Sequence, residues 1–398
     1  MEILLLYQYC IVSVMVILLG NFLINNHLFK DTSRFTLPTY IKKKPPLVSI
    51  LIPARNEERN IRRCLRSLAR QDYPNFEIIV LDDNSSDNTG SIVSEISAKD
   101  PRIRLIKGEV LESGWLGKSF ACHQLSKAAN GDYLLFTDAD TLHFKNSLSS
   151  ALSSLLINKL DAISVFARQI TVTLHERMMV PFANYFLLTF FPLILVAKTK
   201  NPLFCTAIGQ FMLFKRSVYK KIGGHESVKK EILEDIHISK QVKKHGYKFM
   251  IFDGKNNFYC RMYKNLKEVI NGYSKVLAAV FDYNIFIQSL TTILVFLVYL
   301  VPFIALPAGI FLFHLPQMII NLIILHIIII TAIKIIQTIR FKNRFIDVLL
   351  FPVSVIYLLC ISIISIIQSK STTGVYWKGR SYDVRDEKEL KLLKDGLK

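Results

Sequence analysis

Apolar residues follow two rhythms along this chain. At both ends they run almost unbroken: Ile3 to Ile24, Ile285 to Phe313, Met318 to Ile339 and Phe345 to Ile367 each reach the ~20 residues a helix needs to cross a ~30 Å hydrocarbon layer. In the middle they come in short bursts between polar turns. Leu47 to Ile52, Phe76 to Leu81, Arg102 to Ile106, Tyr133 to Thr137 and Ala162 to Phe166 have strand length. Between them, Ile61, Cys64, Leu65 and Leu68 recur at helical spacing, as do Ile92, Val93 and Ile96, and further helices are expected over Lys118 to Ala129 and near Asn146 to Leu156. Strand and helix in alternation predict an α/β domain with a mainly parallel sheet covered on both faces. Such sheets gather ligands at the carboxyl ends of their strands, and three polar stretches fall at that edge: Pro53-Ala54-Arg55-Asn56-Glu57, Asp82-Asp83 and Asp138-Ala139-Asp140.

The expected organisation is a transmembrane anchor over 1–26, a basic juxtamembrane linker over 27–46, the α/β domain over 47–262, an amphipathic interfacial helix over 263–284, transmembrane segments over 285–369 and a polar tail over 370–398. A cleaved signal peptide is the rival reading of the first segment, but Glu2 stands where a basic n-region belongs and no small-x-small cleavage site follows. Within the domain, 181–198 is apolar from Tyr185 to Ala197 yet short and interrupted by Pro192, which fits an interfacial or re-entrant segment. The stripe Leu266, Val269, Ile270, Tyr273, Leu277 and Val280 faces away from Lys264, Lys267 and Lys275. Directly before a membrane span it reads as a helix lying in the headgroup region, the alternative being a stripe packed on the sheet.

Charge sharpens the membrane reading. The 398 residues carry a net charge of +19, which would suit nucleic acid if the basic residues formed one arm. Instead Lys42-Lys43-Lys44 follow the first span and Arg340, Lys342 and Arg344 lie between two others, as positive-inside topology and anionic headgroups dictate. No nucleic-acid partner is expected, and the central domain is placed on the cytoplasmic side of a multi-pass protein of the cell membrane. Three spans after that domain would leave the basic tail outside, so one apolar segment is expected to be re-entrant. The six cysteines are scattered without a C-x-x-C and read as reduced packing residues.

Asp138 and Asp140 project at alternate positions from a strand end and could hold a divalent cation, Mg²⁺ or Mn²⁺, with water and phosphate completing the shell. The other reading is a loop in which they cap turns or the helix that follows, and on two such residues alone it is the commoner outcome. Glu234-Asp235 likewise suits either general-base chemistry or the N-terminus of the helix that follows. Lys118 could neutralise a diphosphate, and Trp115 could stack on a sugar or base or anchor its loop. His123, His225 and His237 lack metal-ligand spacing and read as packing or surface residues.

Pro53-Ala54-Arg55-Asn56-Glu57, Val80 to Thr89, Thr137-Asp138-Ala139-Asp140 and Leu233-Glu234-Asp235 resemble, in that order, the motifs of family 2 glycosyltransferases of the GT-A fold. The resemblance covers roughly Val48 to Arg261. It implies a Rossmann-like domain using a nucleotide sugar, taken as a UDP-sugar, together with a divalent cation. Asp83 then resembles the residue bound to the base, with Pro53, Ala54, Asn56 and Glu57 in the same donor pocket. Asp138 and Asp140 resemble the metal and diphosphate motif, and Asp235 the general base, with Glu234 beside it. Gly114 to Cys122, Gly209-Gln210, Gly223-Gly224-His225, Arg261-Met262-Tyr263 and Trp377 to Tyr382 are similar to membrane-bound bacterial glycosyltransferases of carotenoid and hopanoid pathways. That similarity implies a lipid acceptor, with Trp115, Gly209, Gln210, Trp377 and Arg380 on its side or near the diphosphate; an interfacial anchor is the other reading of Trp377 and Arg380. No Q-x-x-R-W follows Asp235, which departs from the processive synthases of the superfamily and implies a single transfer. The other readings are an acceptor such as diacylglycerol, a ceramide-like lipid, a hopanoid or polyprenyl phosphate, or a catalytically silent scaffold or flippase-like protein.

Overall fold

The computed structural model describes residues 2–370, 375–377 and 380–382. They divide into two compact units, one of residues 18–171 and 183–262, the other of residues 2–17, 172–182 and the described residues from 263 onwards.

The first unit is built on β1 (Val48–Ala54), β2 (Phe76–Asp82), β3 (Ile103–Lys107), β4 (Tyr133–Thr137), β5 (Thr141–His143), β6 (Ala162–Gln169), β7 (Phe211–Lys215) and β8 (Phe249–Cys260). They form one sheet in the order β3-β2-β1-β4-β7-β6-β8-β5. β1, β2, β3 and β4 pair in parallel, as do β6 and β8, whereas β7 runs antiparallel to both β4 and β6, and β5 is antiparallel to β8. The sheet is therefore mostly parallel, as the alternating pattern predicts. The antiparallel β5 and β7 and the long β8 are elements the sequence reading missed.

Burial explains why these runs become strands. Val48, Ile50, Leu51 and Ile52 in β1 and Ile78, Ile79, Val80 and Leu81 in β2 are fully buried. β-branched side chains suit a pleated surface, and each buried aliphatic side chain contributes about 1.5–3 kcal/mol relative to exposure. The helix Ile61–Leu68 covers one face with Ile61, Cys64, Leu65 and Leu68, all buried.

Residues 29–46 fold onto this unit. Phe29 meets Phe166 edge-on at 5.6 Å between ring centroids, Thr32 Oγ1 lies 2.7 Å from Asn257 Oδ1, and the Tyr73 hydroxyl donates to the Pro46 carbonyl at 2.6 Å. The apolar stretch around Pro192 is two helices, Pro181–Phe190 and Leu193–Lys198. The buried Asn25 side chain bridges the break: Nδ2 donates to the Leu188 and Phe191 carbonyls at 2.9 and 2.6 Å, and Oδ1 accepts from Leu193 N–H at 3.0 Å. One amide thus satisfies backbone groups that the proline-interrupted turn leaves open.

In the second unit Gln317–Phe341 and Phe351–Ser369 are long and apolar enough to cross a membrane, as is Glu2–Leu28, which passes through both units. The run from Ile285 to Phe313, expected as one segment, is two helices, Ile285–Tyr299 and Val301–Phe311. Pro302 at the start of the second lacks the N–H that would continue the first helix. The preceding helix Leu266–Val280 turns by 114° into Ile285–Tyr299. Its apolar stripe divides, with Val269 buried and Leu266 and Val280 exposed. Arg177 pairs with Asp347, and the Gln337 amide donates to the Pro181 carbonyl at 2.6 Å, so these buried polar groups of the second unit are paired.

Candidate active site

The parallel register brings the three polar edges together. Ala54 stands opposite Asp82, and Leu51 opposite Phe136, so the chain leaves β1, β2 and β4 at one edge of the sheet. Asp83 N–H donates to the Ala54 carbonyl at 2.8 Å, and the Arg55 guanidinium to the Asp83 carbonyl at 2.5 Å. The loops after β1 and β2 are laced by Asn56 N–H to Ser85 Oγ at 3.0 Å, Ser86 N–H to Asn56 Oδ1 at 2.9 Å and Glu57 N–H to Thr89 Oγ1 at 2.7 Å. Asn56 and Asn84 take left-handed φ values of 54° and 52°, a conformation asparagine tolerates better than other non-glycine residues. Asp83 and Glu57 are buried within this lacing.

The centre of the site is a charge cluster. Lys118 Nζ, from the second residue of the helix Gly117–Ala128, lies 2.9 Å from Asp138 Oδ1 and 3.0 Å from Glu234 Oε1. Burial disfavours its charge, but the two carboxylates outweigh that and hold its pKa well above the ordinary lysine value. Asp235 is the second residue of the helix Glu234–Lys244 and accepts from Ile236 N–H at 2.8 Å. Burial, then the Glu234 charge, push its pKa up to about 7, against the opposing pull of Lys118 and of the Ile236 and Gly209 N–H groups. Its proton affinity thus lies near neutrality, where a general base works best.

Gly209 closes the cluster. A Cβ there would lie 2.9 Å from Lys118 Nζ and 3.4 and 3.5 Å from the Glu234 and Asp235 carboxylate oxygens, so only glycine leaves the three charged groups their present separations. A small cleft is lined by Pro53, Lys118, Asp138, Gly209, His225 and Glu234 among others.

Asp140 accepts a hydrogen bond from the buried Cys260 thiol; burial first, then Asp140 and Asp138 together, hold that thiol's pKa well above normal. Among the described residues no group of three or more His, Cys, Asp and Glu is arranged as a closed metal site. Two carboxylates at a strand end fit an open site instead, in which substrate oxygens and water supply the remaining ligands of a hard cation.

Sequence-derived candidates separate here. Pro53, Lys118, Asp138, Gly209 and Glu234 line one cleft, and Asp235 lies beside Gly209 and Glu234. Gln210 is buried next to them, its Oε1 accepting from Gln169 Nε2 at 3.0 Å. Trp115 is packed 4.8 Å from the His123 ring and 5.3 Å from Phe120, with Lys229 Nζ 5.7 Å from its centroid, the environment of a loop anchor. The side chains of Trp377 and Arg380 lie outside the described residues. His237 pairs with Glu231 at 2.6 Å. His225, read from sequence as packing or surface, is buried yet lines the cleft, and burial, then Lys118, hold its pKa down to about 3. Its Nδ1 lies 2.6 Å from the Tyr219 hydroxyl. The signal was Gly223-Gly224: Gly224 has φ +51°, and a Cβ there would sit 2.6 Å from the Tyr219 ring.

With this geometry in view, the comparisons with known proteins agree. Residues 49–223 match the family model described as Glycosyl transferase family 2, and the chain carries a glycosyltransferase domain of that family. It is 32% identical over 212 residues to "Probable glycosyltransferase YdaM" of Bacillus subtilis, 53% of this chain and 50% of that one. It is 27% identical over 234 residues to 4,4'-diaponeurosporenoate glycosyltransferase of Staphylococcus haemolyticus, 58% of this chain and 61% of that one. The chain thus spans about half, or somewhat more, of the length of these relatives. Among solved structures, mannosyltransferase PcManGT from Pyrobaculum calidifontis in complex with GDP-Man and Mn²⁺ is alike in fold, with a TM-score of 0.51 at 16% identity, covering 91% of this chain and 100% of that one.

Proposed function

We propose that this chain is an inverting glycosyltransferase that moves one sugar from a nucleotide-diphospho-sugar, a UDP-sugar, to a membrane-embedded lipid such as a carotenoid or other isoprenoid. The observation that carries the reading is the meeting of Asp138, Glu234 and Lys118 at 2.9 and 3.0 Å, beside Asp235 and below the loops that hold Asp83 and Glu57. Donor-side and acceptor-side groups of the family's motif order thereby share one cleft.

Asp83 and the Pro53–Glu57 loop bind the nucleoside. Asp138 and Asp140 would hold a divalent cation, which when bound supplies positive charge against the leaving diphosphate. Lys118 adds a second positive charge within reach of the same oxygens. The acceptor hydroxyl attacks the anomeric carbon from the face opposite the diphosphate; the new C–O bond forms as the old one breaks. The electron pair leaves with the nucleoside diphosphate, the hydroxyl proton passes to Asp235, and configuration inverts.

The three long apolar helices and the name of the carotenoid-acid relative favour a lipid acceptor on the membrane in which the chain is anchored, with the catalytic domain on its cytoplasmic side. A carboxylic acid acceptor, already ionised at neutral pH, needs no base. The raised proton affinity of Asp235 favours a hydroxyl. The scaffold reading is disfavoured by the complete set Asp83, Asp138, Asp140 and Asp235.

Purified full-length protein in detergent, given radiolabelled UDP-sugars, Mn²⁺ and a total bacterial lipid extract, is expected to release UDP and label a lipid. Absence of turnover with every donor and extract would favour the scaffold.

A further inference from the structure

Beneath the Asp138–Asp140 turn lies a buried polar chain that the proposed chemistry does not use. Thr137, Thr141, His143, Ser147 and Gln71 are all buried. The Thr141 hydroxyl donates to the Asp138 carbonyl at 2.7 Å, and the Thr137 hydroxyl to the Gln210 carbonyl at 2.8 Å. Both hydroxyl protons are thereby committed, so each oxygen can only accept further bonds. His143 Nε2 lies 2.9 Å from Thr141 Oγ1 and 3.3 Å from Thr137 Oγ1, which makes it the shared donor and fixes the proton on Nε2.

The other ring atoms are held as firmly. His143 Nδ1 is 3.2 Å from Ser147 Oγ, whose proton serves either this nitrogen or Gln71 Oε1 at 2.8 Å. The Gln71 amide in turn donates to the Phe144 carbonyl at 2.9 Å. The ring stacks on Phe258 with centroids 5.2 Å apart and planes 5° from parallel. Burial lowers its pKa to about 3, so it remains neutral, one nitrogen donating and the other accepting.

We propose that His143 is a positioning residue that locks two parts of the active site to each other: through Thr141 the turn bearing Asp138 and Asp140, and through Thr137 the strand of chain bearing Gly209 and Gln210. Gly209 touches the Lys118, Glu234 and Asp235 cluster, so one imidazole sets the spacing between the carboxylates on the donor side and the group that takes the proton. The inference rests on the proposed function, in which Asp138 and Asp140 hold a divalent cation. Groups that orient a metal-binding segment from behind cost about 10- to 100-fold in metal affinity or activity when lost.

The test is Mn²⁺ affinity of the full-length protein in detergent, read by electron paramagnetic resonance without donor or acceptor. His143→Phe keeps a ring against Phe258 and removes all three hydrogen-bond contacts of the imidazole; it is expected to weaken Mn²⁺ binding at least about tenfold. His143→Gln, whose amide can still reach Thr141, is expected to restore most of it. Thr141→Val removes the hydroxyl that holds the Asp138 carbonyl without changing volume and is expected to behave like His143→Phe, and it decides the matter if His143→Phe does not fold. Wild-type Mn²⁺ affinity in a folded His143→Phe or Thr141→Val protein overturns the inference alone. So does a His143→Gln protein as weak as His143→Phe at equal thermal stability, since packing would then be the whole role. A wild-type protein that binds no Mn²⁺ overturns the metal reading, and this inference with it.

Discussion

Lys118 Nζ sits 3.0 Å from Glu234 Oε1, an ion pair between residues remote in sequence that ties the start of one helix to the start of another. The same ammonium reaches Asp138 at 2.9 Å, so a single positive charge joins the Asp138 and Glu234 carboxylates. Replacing it by Met leaves those carboxylates facing one another without that cation. Lys118→Met is expected to lower kcat by about 10² to 10³. Because Lys118 draws the Asp235 pKa down, its loss should also move the acid limb of the kcat profile to higher pH. A pH–rate profile of the residual activity measures this; an unchanged or acid-shifted limb contradicts it.

Asp235 lends itself to a stability measurement. Its folded-state pKa of about 7 lies well above the ~3.9 of an unfolded aspartate. The group therefore favours the folded state fully below the lower value, and that contribution is lost as pH rises through 7. Asp235→Asn removes the buried charge while keeping the shape. It is expected to melt at higher temperature than wild type at pH 8, with the difference shrinking as pH falls from 7 towards 4. A melting temperature at pH 8 equal to or below that of wild type would show that the site does not oppose this charge.

Under the proposed function Asp83, buried in the loop after β2, holds the base alike in ground and transition states. Asp83→Ala is accordingly expected to raise the donor KM by about 10- to 100-fold with little change in kcat. Initial rates across donor concentration decide it, and a loss confined to kcat would contradict the assignment.

Asp140→Asn is expected to abolish metal-dependent transfer while leaving the thermal transition near that of wild type, because the change is isosteric and lies at a strand end. Full activity of the wild-type protein in the presence of EDTA would sink the metal assignment.

What could be read in the sequence, and what could not, divides along physical lines. β1, β2 and β4 announce themselves because buried parallel strands are continuous apolar runs, and each breaks into carboxylates or amides at the edge where the chain turns back. Their common edge follows from their parallel direction, so Asp83, Asp138 and Asp140 could be grouped in advance. β7 enters antiparallel between β4 and β6, a pairing set by distant strands and not by any local period. β8 carries Asp253, Gly254, Lys255, Asn256 and Asn257 within its length, and their polarity hides a strand that pairing with β6 creates. Trp115 could not be assigned from composition, since stacking on a ligand and packing against His123 ask for the same ring. The break at Leu300 was equally hidden, because Pro302 and Pro307 interrupt hydrogen bonding without interrupting hydrophobicity.

The central claim is that this chain glycosylates a lipid with Asp235 as base, and the most direct test is lipid mass spectrometry of a heterologous bacterial host expressing either the wild-type chain or Asp235→Asn at equal membrane abundance. The wild type is expected to yield a lipid heavier by one hexose. That species should fall by ~10² or more relative to wild type in the variant, in line with loss of a general base. An identical lipid profile with and without the wild-type chain, or an undiminished product from Asp235→Asn on a hydroxyl-bearing lipid, would contradict the account.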